Sequence, residues 1–182
     1  MSSSYTTQND LLLQKLLQFY NLNDNLNRIL GIINGRNRMS LRLIDWFVTN
    51  YAKKYWVVYS IHRAGIAKRF KVYTDYKLKL KAYSKKRFDP FCRWERINIP
   101  YDDDNYIQTT IGQLNFFKWL LENDILTYIE NNFEQIEKDM NRRNSTSKRK
   151  TNKKTRKKRE ELSISASKTI KKEKVEIMVK FD

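Results

Sequence analysis

The chain has 182 residues, and with 40% hydrophobic and 13% aromatic residues it can bury the core of one domain. Thirty-seven Lys and Arg residues against twenty Asp and Glu residues give a net charge of +17, which favours a polyanionic partner without indicating a fold. A single cysteine, Cys92, excludes an internal disulfide, and a single histidine, His62, excludes a zinc site built from Cys and His side chains.

The sequence carries no sign of secretion or membrane insertion. The N-terminal MSSSYTTQND lacks the basic start and the apolar stretch of a signal peptide. No apolar run approaches the roughly 18 residues that cross a membrane. We therefore expect a soluble, intracellular protein with no membrane partner.

Two short helices are predicted near the N-terminus. Residues 1–9 are polar and predicted to be disordered, and Asp10 is predicted to cap a helix that ends near Tyr20. Apolar residues at helical spacing predict a second helix over residues 22–33, which Asn34-Gly35 ends.

A third helix is predicted to begin at Ser40, whose hydroxyl can cap it. Arg42 and Asp45 are expected on its solvent side. The residues expected to face the core are Leu43, Ile44, Phe47, Val48 and Tyr51.

Beyond residue 54 the pattern becomes typical of strands. Residues 55–61 and 66–73 are rich in β-branched and aromatic residues, which predicts a β-hairpin with Gly65 at a positive φ. Thr74-Asp75 is predicted to cap a helix that reaches about Lys86. Residues in this stretch also alternate as a strand would, but its Lys, Leu and Ala favour a helix.

A turn is predicted at residues 88–91, because Pro90 disfavours helix at the preceding residue, and a strand is predicted from Trp94 to Pro100. Asp102, Asp103 and Asp104 then form an acidic loop. Carboxylates of this kind can bind Mg²⁺ or Ca²⁺, but a solvated loop is the favoured interpretation and we predict no metal site.

The last predicted element is a helical region from Thr110 to about Met140, opened by a capping box of Thr110 and Gln113. Asn123-Asp124 is expected to kink or break it. The segment from Asp102 to Asp139 contains nine acidic residues and two lysines, which gives a net charge of −7. This region is expected to dock beside the basic segment described next; competition with nucleic acid for that segment is a sharper alternative.

Basic and aromatic residues are interleaved from Lys53 to Arg96, where fourteen Lys or Arg residues against three acidic ones give 14 − 3 = +11. Cations that neutralise phosphate beside rings that stack on bases are typical of nucleic-acid surfaces. A solvated basic face over an ordinary core is the alternative. The predicted phosphate contacts are Lys77, Lys79, Lys81, Lys85, Lys86, Arg87, Arg93 and Arg96.

The C-terminal residues 141–182 are predicted to be a basic, largely disordered tail after a compact domain at residues 10–140. Eleven basic and no acidic residues lie between Asn141 and Arg159, without apolar anchors. Such a segment suits a nucleic-acid-binding arm, a nuclear localisation signal or a solubilising tail. The tail residues predicted to bind are Lys148, Arg149, Lys150, Lys153, Lys154, Arg156, Lys157, Lys158 and Arg159.

No catalytic motif stands out: the chain has no glycine-rich phosphate loop, nucleophile elbow or metalloprotease signature. A nuclease built on the carboxylates of Asp75, Asp89 and Glu95 matches no defensible spacing. We therefore predict a protein without catalysis or cofactors.

Three segments resemble an uncharacterised family of small proteins from giant, nucleocytoplasmic large DNA viruses. They are RMSLRLIDWFVTNYAKK (38–54), KLKAYSKKRFDPFCR (79–93) and TTIGQLNFFKWLLENDILTYIE (109–130). The resemblance covers about residues 36–140 and implies a viral source, but it implies no activity.

The sequence thus predicts an α+β domain of helices packed on a small antiparallel sheet, followed by the tail. The chain is expected to be a non-enzymatic accessory protein that binds nucleic acid, either DNA or RNA. The alternative is a virion or scaffold protein that binds other viral proteins, with the tail used only for targeting. The expected location is the host nucleus or viral factory, with packaging in the virion as a further option.

Overall fold

The computed structural model describes residues 7–22, 24–63, 65–102 and 105–149. The α+β prediction is confirmed, but the strands form two separate antiparallel hairpins rather than one sheet. In chain order the elements are α1 (Gln8–Tyr20), α2 (Asn25–Ile33), α3 (Leu41–Trp46), a π-helical turn (Phe47–Tyr51), α4 (Ala52–Lys54), β1 (Val58–Arg63), β2 (Ile66–Lys71), α5 (Val72–Arg87), β3 (Arg96–Asp102), β4 (Asn105–Thr110), α6 (Ile111–Glu122), α7 (Ile125–Asn131) and α8 (Phe133–Arg149).

Helix α6 lies at the centre of the core. Its residues 111–117 and 119–121 are all buried, so it has almost no solvent face. A helix that is apolar on all sides must be covered on all sides. The elements that contact it include α1, α5, α7 and β4.

The first helix begins earlier than predicted. Thr7, not Asp10, is its N-cap: the Thr7 hydroxyl accepts from the Asp10 N–H at 3.2 Å, and the Asp10 carboxylate accepts from the Thr7 N–H at 2.9 Å. This reciprocal pair satisfies two N–H groups that a cap at Asp10 would leave free. Residues 7–9 therefore belong to the ordered domain, and residues 1–6 lie outside the described residues.

The predictions for the third helix are largely confirmed. The Ser40 hydroxyl accepts from the Leu43 N–H at 3.1 Å, and the five residues expected to face the core are buried. Gly35 has φ +67° and follows the end of α2. Arg42 is exposed as expected, but Asp45 is partly buried, because its side of α3 is covered by other parts of the domain.

The first hairpin pairs Val58 with Lys71 through Arg63 with Ile66, and Gly65 has φ +76°, as predicted. Helix α5 starts directly after it at Val72, so Thr74-Asp75 is not its cap. The Asp75 carboxylate instead accepts from Trp119 Nε1 at 2.6 Å and joins α5 to α6.

Strand β4 was not expected from the sequence. It pairs with β3 in a second antiparallel hairpin, in which Asp102 pairs with Asn105. Strand β4, NYIQTT, has one strongly apolar residue, Ile107, and its polar Thr109 and Thr110 are also buried. Asp103 and Asp104 lie outside the described residues.

The C-terminal helical region is broken twice. Asp124 has φ +54° and separates α6 from α7, which confirms the predicted break, and a second break falls at Asn132. The Thr110 hydroxyl caps α6, but the Gln113 amide donates to the Pro90 carbonyl instead of completing a capping box. The apolar stripe is buried as predicted at Leu114, Phe117, Leu121, Ile125, Ile129, Phe133 and Ile136.

Helix α8 continues to Arg149, nine residues beyond the predicted end near Met140. Its buried Asp139 accepts from Lys54 Nζ at 2.9 Å and from the Tyr55 hydroxyl at 3.1 Å. Burial raises the pKa of Asp139, but the hydrogen bonds from Lys54 and Tyr55 and the neighbouring cations outweigh it and hold that pKa below its usual value. Among the described residues, this contact is the one ion pair that joins the acidic region to the basic segment.

A partly buried carboxylate on α3 works against stability at neutral pH. Burial, and secondly the charge of Asp89, raise the pKa of Asp45 from 3.8 to about 6. Because the folded-state pKa lies above the unfolded one, the folded state binds the proton more tightly. The stability that protonated Asp45 contributes is complete below the unfolded pKa of about 4 and is lost as the pH rises through about 6.

We therefore expect Asp45→Asn to raise the free energy of unfolding by about 1–3 kcal/mol near pH 7.5, and to change it little near pH 4. Urea unfolding at the two pH values measures the difference. Glu130→Gln, at an exposed position on α7, is the control. An Asp45→Asn chain that is destabilised equally at both pH values would contradict the assignment.

Candidate nucleic-acid interface

The outer face of α5 carries a row of lysines. Lys77, Lys81 and Lys85 recur every four residues, and all three are exposed. Val72 and Tyr76 are buried on the opposite side of the same helix, against the core. The core therefore fixes which face of α5 is turned to solvent, and the sequence fills that face with lysine.

These cations have no internal counter-charge. Within the described part of the chain, the ion pairs formed by lysines involve Lys54 and Lys118, not the α5 row. Lys79 lies at the side of α5 and is partly buried. The exposed Leu78, with 61% of its surface accessible, lies in the same face.

Further exposed basic residues lie on the first hairpin, which precedes α5. Lys68, Arg69 and Lys71 on β2 are exposed, and β2 leads directly into α5. They were counted in the charge of the segment but were not among the predicted contacts. A signal in the sequence could have added them to the predicted contacts: this strand has almost no alternation of apolar and polar residues. Phe70 is its one buried residue.

The helix is interrupted at Ser84, which has φ +65° and ψ +166°. This conformation is strongly disfavoured for any residue except glycine. It turns the last residues of α5 away from the regular helix. As a result Lys85, Lys86 and Arg87, which look equivalent in the sequence, have different surroundings.

Arg87 is engaged within the protein. Its Nε donates to Asn9 Oδ1 at 2.8 Å and its Nη1 to Gln8 Oε1 at 3.1 Å, so it ties the start of α1 to the end of α5. Its carbonyl accepts from Asn115 Nδ2 at 2.9 Å. Lys86 is exposed, and its ammonium lies 3.8 Å from the ring centroid of Trp94.

Arg93 and Arg96 continue the basic surface past the turn. Both are exposed, and Arg96 Nη1 donates to Gln108 Oε1 at 2.9 Å across the second hairpin. Five of the eight predicted contacts in the domain are thus exposed and form no side-chain hydrogen bond or ion pair with another described residue, although Lys86 contacts a ring. These five are Lys77, Lys81, Lys85, Lys86 and Arg93.

A cleft of about 430 Å³ opens where α5 ends. Charged, polar and aromatic groups share its wall. The lining residues are Asn9, Ser84, Lys86, Arg87, Trp94, Glu95 and Ile111.

Gly112 fixes the position of this wall. A Cβ at Gly112 would lie 2.8 Å from the Lys86 carbonyl oxygen and 3.3 Å from that of Asp89. Such approaches require the backbone of one element to move. The glycine therefore lets the first turn of α6 pack directly on the segment that carries Lys86 and Arg87.

We expect Gly112→Ala to lower the free energy of unfolding by about 1–3 kcal/mol, because the overlap outweighs the gain in helix propensity. Gly31→Ala is the matched control, since its Cβ would meet only Asn37 Cβ at 3.8 Å. That change should stabilise the protein by about 0.5–1 kcal/mol. Chemical denaturation tests both; an equal gain in the two variants would show that the close approach is absent.

Two of the nine predicted tail contacts lie within the described residues. Lys148 and Arg149 lie in the last turn of α8. Outside the described residues are Lys150, Lys153, Lys154, Arg156, Lys157, Lys158 and Arg159.

The histidine, cysteine and carboxylate side chains are the other candidates for chemistry in the described part of the chain. In the described ranges no group of three or more His, Cys, Asp or Glu side chains is arranged to hold a metal ion. His62 is exposed on β1, and the half-buried Cys92 donates from its thiol to the Lys86 carbonyl at 3.6 Å. None of the described helices is both long and apolar enough to cross a membrane.

Comparison with known proteins identifies the family of the chain. "Uncharacterized protein L507" of Acanthamoeba polyphaga mimivirus is 43% identical over 142 residues, covering 75% of this chain and 54% of the relative, so the chain spans about half of that protein. No solved structure matches it. The resemblance to giant-virus proteins is thereby confirmed. Since the model of the "Family of unknown function (DUF7197)" matches residues 1–182, the chain belongs to that family.

Proposed function

We propose that the protein is a non-enzymatic accessory protein that binds DNA or RNA through the exposed basic face of α5, with the basic tail adding affinity. The observation that carries the proposal is the row of Lys77, Lys81 and Lys85. Lys77 and Lys81 are exposed on one face of the helix, Lys85 is exposed just after the interruption at Ser84, and none of the three forms an ion pair with another described residue.

This row costs the helix stability, which argues against a merely solvated surface. Like charges four residues apart each destabilise a helix by about 0.2–0.5 kcal/mol. Here Lys77 and Lys81 have that spacing within the regular part of α5. A surface selected only for solubility would relieve the repulsion with intervening carboxylates, and a bound polyanion relieves it through phosphate contacts and counterion release.

The neighbouring cations make the surface long enough for several phosphates. Lys68, Arg69 and Lys71 precede the row along the chain, and Lys86 and Arg93 follow it. Because phosphate contacts position a protein without reading sequence, we expect this surface to bind with little sequence selectivity. The tail residues 150–159 would add further contacts of the same kind, or address the protein to the host nucleus, the viral factory or the virion.

A second candidate function is a virion or scaffold protein that binds other viral proteins. It is favoured by large apolar side chains at the surface: Trp56 is 81% exposed and Ile66 is 71% exposed. Burial of such residues drives protein association with little dependence on salt. The two functions therefore differ in their response to ionic strength.

The test is a salt titration of binding to a mixed-sequence duplex, using the full chain and a variant with Lys77, Lys81 and Lys85 changed to Glu. Each lost phosphate contact lowers the slope of log K against log salt by about 0.9. We therefore expect the slope to fall by about 2–3 and the affinity to drop in parallel.

The matched control changes Lys15, Arg28 and Arg36 to Glu, which are exposed positions before residue 40 with the same change in net charge. It should retain most of the slope. A control that loses as much as the α5 variant would show that only net charge matters. Repeating the titrations in a chain with Gln in place of every Lys and Arg at 150–159 separates the contribution of the domain from that of the tail. If the chain with that change alone, and with the α5 lysines intact, no longer binds, the α5 assignment is overturned.

A further inference from the structure

The cleft at the end of α5 combines a stacking surface with a cation. Trp94 is 52% exposed, which is unusual for so large an aromatic residue, and it lines the cleft with Lys86 and Arg87. The Lys86 ammonium rests over its ring at 3.8 Å. The cleft volume of about 430 Å³ falls within the usual size of small-ligand sites.

We propose that this cleft binds one unpaired base of a single-stranded nucleic acid, stacked on Trp94, with the adjoining phosphate on Lys86. The inference rests on the nucleic-acid binding proposed above and names the form of nucleic acid that the cleft selects. A base inside a duplex is paired and stacked on its neighbours, so it cannot enter the cleft without first being flipped out.

The Lys86 contact with the ring favours this exchange. An exposed cation–π contact is weak, whereas base stacking on an aromatic side chain is a main source of affinity in single-strand binding. The ammonium can therefore leave the ring for a phosphate while a base takes its place. The ring that would stack on the base and the cation that would bind the phosphate already lie at contact distance from each other in the free protein.

Glu95 gives the cleft an orientation. Its carboxylate would repel a phosphate, so we expect the phosphate of the nucleotide on Lys86 and away from Glu95. Glu95 and Asn9, which line the same cleft, offer polar groups to the edge of the base.

The backbone around the cleft is independently unusual. Glu95 has φ +36° and Ser84 has φ +65°, and both residues line the cleft. Strained backbone of non-glycine residues concentrates at ligand sites, where the surrounding structure holds it in place. Two such residues in the lining of one cleft support a binding role for it.

The experiment compares Trp94→Ala with Trp56→Ala, which removes another exposed tryptophan that does not line the cleft. The full chain is titrated with a labelled strand of about 12 nucleotides and with its duplex at fixed salt. Trp94→Ala should weaken single-strand binding about 5- to 100-fold and change duplex binding less than about 2-fold. Trp94→Phe should restore most of the affinity, and Trp56→Ala should leave both affinities unchanged.

Salt and folding controls complete the design. Trp94→Ala should keep the salt slope of the unaltered chain, because stacking releases no counterions. Thermal unfolding verifies that the variant is folded. An equal loss for strand and duplex, or a loss equal to that of Trp56→Ala, overturns the inference while the proposed function stands. If the unaltered chain binds neither nucleic acid, the proposed function itself fails.

Discussion

The domain depends on one constraint: helix α6 has almost no solvent face, so its neighbours must cover it completely. Backbone and side-chain polar groups that this burial would leave unpaired are satisfied by specific contacts. The Tyr20 hydroxyl donates to the Leu114 carbonyl at 2.6 Å, and Asn115 Nδ2 donates to the Arg87 carbonyl at 2.9 Å. These bonds hold α1 and the end of α5 against α6, because a buried polar group without a partner costs about 1–3 kcal/mol. The surface features follow from how each neighbour covers the central helix.

This packing determines where the basic surface lies, but it does not require the residues of that surface to be basic. Helix α5 uses Val72 and Tyr76 to cover α6, and the fully buried Phe88 completes the contact, with its ring between those of Tyr76, Phe116 and Trp119. The opposite face is free of packing demands, so any polar residue would serve the fold there. The fold therefore does not require lysine at Lys77 and Lys81 on this face, and the proposed function is what gives them a role. The cleft arises in the same way, where Gly112 lets two backbones meet and Ser84 turns the chain aside.

The sequence correctly predicted those element ends that depend on residues close by in the chain. Ser40, Gly65 and the Asn123-Asp124 break were located from the preferences of single residues, and the helical stripes from their period. Strand β4 was missed because its polar Thr109 and Thr110 are buried only by the packing of distant elements. The start of α5 at Val72 was missed for a similar reason, since a fully buried valine at the end of a strand gives no helix signal. Trp94 was assigned to a strand; its signal as a site residue was an aromatic ring placed directly between Arg93 and Glu95, but its exposure follows from the tertiary fold.

Helix α8 shows why composition misplaced the end of the last helix. Its charge runs from acidic Glu134 and Glu137 near the N-terminus to basic Arg142 and Arg143 further on, which is the order that the helix dipole favours. Arg142 and Arg143 lie 3.6 and 3.8 Å from the oxygens of the buried Asp139, one turn earlier. Cations spaced three and four residues after a carboxylate support a helix. A basic run without apolar residues therefore need not be disordered at its start, where preceding carboxylates pair with it. Arg142 and Arg143 consequently stabilise the helix whether or not a polyanion binds.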